Sequence, residues 1–73
     1  MDKHYTQMKY IAYEVDSRIG YITLNRPEKR NALSHDMVSE LREAFAMAEQ
    51  DDKAKVIVLR ANGEAFCAGA DLE

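Results

Sequence analysis

Val56 to Leu59 spell "VIVL", an apolar run with no polar alternation. It is too short for a helix, and it lacks the one-sided pattern of a strand with a wet face. It therefore predicts a strand covered on both faces, as in a parallel or mixed sheet. A parallel partner needs a crossover connection, most simply a helix immediately upstream.

That helix is legible. Ser34 is a good N-cap, Asp36 sits in the first turn where it complements the helix dipole, and Leu33 with Val38 has the spacing of a hydrophobic staple. Met37, Val38, Leu41, Ala44, Phe45 and Ala48 then recur at helical spacing, opposite Ser39, Glu40, Arg42, Glu43 and Glu49. The pattern fades at "DDKAK", residues 51–55.

Further upstream, Ile11, Tyr13 and Val15 alternate with Tyr10, Ala12 and Glu14, and "IGYITLN" at residues 19–25 is again β-branched and aromatic. Two strands joined by a turn at Asp16, Ser17 and Arg18 follow, with Gly20 marking a bulge or a close approach. Pro27 cannot donate to a ladder and ends the second strand, leaving "RPEKRNA" as a loop. Residues 1–8, "MDKHYTQM", are polar and patternless and are expected to be a loose arm ahead of a domain spanning 9–73. The fold class is α/β, in the order strand, strand, helix, strand.

At 73 residues, the chain buries only roughly 60% of its unfolded surface. One cysteine and two histidines build neither a disulfide framework nor a zinc cluster, so no metal site is expected. The lone Cys67 fits a reducing compartment, the cytoplasm or an organelle matrix. No segment approaches the ~18 apolar residues of a membrane span, and none has the pattern of a secretory leader. A net charge of −3 with interspersed signs argues against nucleic-acid binding. The local exception is "RPEKR", residues 26–30, which is either a solvated turn or a contact for one small phosphorylated ligand.

Beyond the turn at Asn62 and Gly63 comes "AFCAGAD", residues 65–71. It is neither a Walker loop nor a dinucleotide fingerprint. Nothing in the spacing brings Cys67 to His35 as a nucleophile and base, and a buried, inert cysteine is expected. The stretch offers instead a strand leaving the sheet into small residues, where backbone N–H groups can face a ligand and hold developing negative charge on an oxygen. Gly69 permits unusual dihedrals, and Ala68 and Ala70 shield little backbone. Tight packing alone would also explain Ala-Gly-Ala.

Together, "GYITLNRPEKRNALS" (20–34) and "VIVLRANGEAFCAGADL" (56–72) resemble the N-terminal part of the enoyl-CoA hydratase/isomerase superfamily, the crotonases. The resemblance implies a spiral of strand-strand-helix units binding acyl-CoA thioesters, with the thioester enolate stabilised by two backbone N–H groups. On that resemblance, the amide of Ala70 is one oxyanion donor. Ala68 meets the adenine of coenzyme A, and Lys29 and Arg30 lie near its phosphates or the pantetheine entrance. Ala32 and Gly69 join the coenzyme A contacts. Asp71 braces the loop in preference to acting as a base, and Leu72 borders the acyl pocket.

No cofactor is implied beyond the coenzyme A of the substrate, and a trimer or hexamer follows from the family alone. The second donor and the catalytic carboxylates of the family lie downstream of this motif, and neither Glu64 nor Glu73 matches a catalytic position. The chain is thus expected to be the incomplete N-terminal portion of a hydratase-like enzyme, inactive alone. An isomerase, an acyl-CoA hydrolase, or a non-catalytic binding or packing module are the alternatives.

Overall fold

The computed structural model describes residues 4–70. Their elements are β1 (His4–Gln7), β2 (Ile11–Asp16), β3 (Ile19–Leu24), a short 3-10 turn (Pro27–Lys29), α1 (His35–Gln50) and β4 (Val56–Ala61). The strands form one four-stranded sheet in the order β1-β2-β3-β4. β1 to β3 are antiparallel neighbours, and β4 lies parallel to β3 with α1 as the crossover. The α/β class stands, and the expected strand-strand-helix-strand order holds for β2, β3, α1 and β4, with β1 ahead of it.

The β2–β3 hairpin closes through Ser17 and Arg18, with φ of 54° and 70°. Positive φ at both central residues matches the turn twist to the strand twist, as a two-residue hairpin requires. Gly20 sits in register opposite Val15, without a bulge. Close approach explains it: an added Cβ would stand 3.2 Å from Ala54 Cβ and 3.3 Å from the Tyr13 ring.

One sheet face carries Ile11, Tyr13 and Val15 of β2 in register with Leu24, Ile22 and Gly20 of β3. α1 packs on that face and buries Met37, Ala44 and Ala48. Fully burying side chains such as Ile11, Ile22 and Met37 contributes about 1.5–3 kcal/mol each. Ser34 caps the helix as the sequence predicts, its hydroxyl accepting from Met37 N at 3.2 Å. Tyr13 ties the end of the helix to the sheet, donating to Asp51 Oδ2 at 3.1 Å.

Three expectations are corrected. The polar arm is not loose over its second half: His4–Gln7 pairs with β2 from His4 opposite Val15 to Gln7 opposite Ala12. Strand pairing uses backbone groups, so an edge strand needs no apolar pattern to form. Glu40, placed on the solvent side of the helix, instead accepts the amides of Tyr10 (2.8 Å) and Ile11 (3.1 Å) and orders the entry to β2.

The third correction concerns β4, which was expected to be covered on both faces. It forms the sheet edge among the described residues, and Val56 is 58% and Ile57 42% exposed. The apolar run anticipates cover that residues 4–70 do not supply. Val38 and Phe45 on α1 are exposed too, so the apolar stripe of the helix is wider than the sheet it meets.

Candidate functional site

The candidate site lies where the sheet's last turns meet. β3 ends at Leu24 and the chain enters loop 26–33, which Pro27 starts as a 3-10 turn. The amides of Arg30 and Ala32 donate to Pro27 O and Lys29 O at 3.0 Å, and Asn31 N donates to Arg26 O at 2.9 Å. Arg30 and Asn31 are both left-handed, with φ of 53° and 57°. Asparagine tolerates that region better than most residues, whereas arginine adopts it here at a conformational cost.

Loop 62–70 follows β4 and is drawn against the first loop. Ala68 N donates to Arg30 O at 3.0 Å, and Leu33 N donates to Gly69 O at 2.8 Å. Leu33 and Ala70 thereby form an isolated parallel bridge. The Gly69 carbonyl and the Ala70 N–H belong to one trans peptide group and point in opposite directions, so the carbonyl turned toward Leu33 leaves the Ala70 N–H directed away from it. Gly69 has φ of 104°, and nothing lies within 4 Å of where its Cβ would be. Its glycine therefore answers to backbone shape and to open space above the turn.

The structure brings Lys29, Arg30, Ala32, Ala68, Gly69 and Ala70 into one pair of touching loops. Lys29, Arg30, Ala68, Gly69 and Ala70 are exposed and Ala32 is half-buried. Asp71 and Leu72 lie outside the described residues. Arg26 behaves differently from its neighbours: Nη1 donates to Ala32 O at 3.0 Å, and the guanidinium lies 5.3 Å from the Tyr10 ring centre. It braces the loop, so the exposed cations of "RPEKR" are Lys29 and Arg30.

Cys67 is half-buried and packs against the core cluster, where its Sγ accepts from Gly69 N at 3.4 Å. It shapes its own turn. His35 is exposed at the start of α1. No group of three metal-ligating side chains occurs among the described residues, and no helix there is long and apolar enough to cross a membrane.

The sequence pattern did not reveal Asn31. Its side chain is fully buried and makes hydrogen bonds into both loops, accepting from Arg26 N at 2.7 Å and donating to Asn62 O and Ala65 O at 2.8 Å each. The available signal was a single asparagine after two cations, which also describes many exposed turns.

Residues 14–73 match the family model described as enoyl-CoA hydratase/isomerase. A Mycobacterium tuberculosis protein that carries the name enoyl-CoA hydratase EchA13 is 52% identical over 90% of the chain. The Arabidopsis thaliana protein named 3-hydroxyisobutyryl-CoA hydrolase 1 is 42% identical over 85%. A solved enoyl-CoA hydratase/isomerase from Mycobacterium paratuberculosis superposes with a TM-score of 0.87 at 48% identity, covering 92% of this chain and 26% of that one. The chain spans 21% and 16% of the length of the two curated relatives.

Proposed function

The chain belongs to the enoyl-CoA hydratase/isomerase family, and from that premise we propose that it forms the N-terminal portion of an enzyme that binds an acyl-CoA thioester and stabilises its enolate through the Ala70 amide. The observation that carries this reading is the Leu33–Ala70 bridge, which turns the Ala70 N–H away from Leu33 in a loop hydrogen-bonded to the one that carries the exposed Lys29 and Arg30.

A backbone donor suits the chemistry. When a proton leaves the carbon beside a thioester, or water adds across a conjugated double bond, negative charge develops on the carbonyl oxygen. A fixed N–H aimed at that oxygen lowers the barrier without reorganising at the moment of reaction. Proton transfer itself needs a titratable group, which an amide is not, so the acid and base of this reading come from other parts of the protein. Ala68 and Gly69 leave the backbone accessible for the same purpose, because small side chains let the ligand approach.

Lys29 and Arg30 then serve the phosphates of coenzyme A. Their loop meets the donor loop at the Ala68–Arg30 hydrogen bond, so one molecule reaches both. Both cations are exposed, which limits what each contributes to affinity. Hydration of an enoyl-CoA is the leading reaction, supported by the hydratase names among the relatives. Thioester hydrolysis is the second reading, favoured by the hydrolase relative, and it uses the same oxyanion donor.

Ala70→Pro against Ala70→Gly in the intact protein tests the reading. Proline deletes the N–H and glycine keeps it, so turnover should collapse in the first and change mildly in the second. Equal loss in both would count against a backbone donor.

A further inference from the structure

Asn31 is fully buried, and its primary amide must find partners there for both of its donors and its acceptor. It divides them. Oδ1 accepts from Arg26 N, inside its own loop, while Nδ2 donates to Asn62 O and Ala65 O across the gap. The partners fix the orientation of the carboxamide, because a flipped side chain would set an oxygen against two carbonyls and its NH2 against an N–H. The loops also touch at Gly63, whose φ is +93° and whose added Cβ would stand 2.8 Å from Pro27 Cβ.

We propose that Asn31 is a positioning residue for the acyl-CoA reaction: its carboxamide sets where the Ala70 amide stands relative to Lys29 and Arg30. This rests on the reading of Ala70 as the oxyanion donor. Loop 26–33 carries the cations and loop 62–70 carries the donor, and the two Nδ2 hydrogen bonds fix the start of the second loop on the first. An oxyanion donor must stand about 2.7–3.1 Å from the oxygen it stabilises. Misplacement by ~1 Å is enough to cost about 10²-fold in rate.

The experiment is an infrared measurement on the intact protein with an α,β-unsaturated acyl-CoA carrying an isotope-labelled thioester carbonyl, alongside kcat and KM. In the unaltered protein the carbonyl stretch moves to lower frequency on binding, because the N–H polarises the bond. Asn31→Asp keeps the acceptor for Arg26 N and replaces both cross-loop donors with an oxygen facing two carbonyls. It should reduce the frequency shift and lower kcat by about 10- to 10²-fold while KM stays within about 3-fold. Gly63→Ala parts the loops at Pro27 without touching Asn31 and should act in the same direction.

An undiminished shift with unchanged kcat in Asn31→Asp overturns the proposal and leaves Ala70's role standing. Absence of any shift in the unaltered protein overturns the donor reading itself. Thermal unfolding is followed in parallel. If neither variant folds, or if activity per folded molecule is unchanged, Asn31 is a structural residue only and the proposal falls.

Discussion

The two loops at the candidate site are held in opposite ways. In loop 26–33 the amides of Lys29, Arg30, Asn31 and Ala32 all donate to carbonyls of the same loop. Loop 62–70 takes its anchors from outside: Asn62 N donates to Leu24 O, Ala68 N to Arg30 O, and Gly69 O accepts from Leu33 N. Apart from the Gly69 contact to Cys67 Sγ, its own groups do little to shape it. The loop with the cations holds its own form, and the loop with the proposed oxyanion donor inherits its form from the first. A short stretch of small residues can thus present an oriented amide with no reactive side chain of its own.

A change confined to the donor amide of the second loop should strike rate alone. Ala70→Pro is expected to lower turnover by about 10²–10³-fold, the cost of losing one oxyanion donor, with KM little altered in steady-state kinetics. Joint replacement of Lys29 and Arg30 by alanine belongs to the other loop. It should raise KM for the acyl-CoA by roughly 3- to 10-fold with kcat preserved, since exposed ion pairs are each worth no more than about 1 kcal/mol. A fall in kcat of the same size would break the division between the loops.

Two scaffold changes sharpen the comparison by touching neither loop. Burial foremost, then the hydrogen bond and charge of Asp51, pushes the Tyr13 hydroxyl up from 10.0 to about 12. The folded protein therefore holds this proton more tightly than the unfolded chain does. The resulting stabilisation is complete below pH 10.0 and is lost as pH rises through about 12. Tyr13→Phe should flatten that alkaline fall in denaturant titrations and cost about 1 kcal/mol at neutral pH. Ser34→Ala removes the helix cap and should cost about 1 kcal/mol in the same measurement, leaving the KM for acyl-CoA unchanged.

What the sequence made legible was local. The hairpin came from alternation at Ile11, Tyr13 and Val15, and the helix start from Ser34, because the relevant interactions span a few residues. That β4 belongs to a parallel or mixed sheet came from VIVL, whose lack of polar positions is itself a record of surroundings, whereas its pairing with β3 was visible only in the structure. Contacts set by tertiary approach stayed hidden. β1 forms through backbone pairing that its polar side chains do not advertise, and Glu40 turns inward to amides nearly thirty positions away, donating partners being Tyr10 and Ile11 with separations of 30 and 29. Asn31 and Arg26 look like surface turn residues in the sequence, yet one is buried and the other braces Ala32. The candidate donor itself was placed by family resemblance, and its direction away from Leu33 became visible only with the bridge.

The most direct measurement is the structure of the intact protein with an acyl-CoA thioester bound. The thioester oxygen should lie about 2.7–3.1 Å from Ala70 N, within hydrogen-bonding reach of its N–H, with the phosphates toward Lys29 and Arg30. An oxygen turned away from Ala70 and neutralised by a side chain would contradict the account.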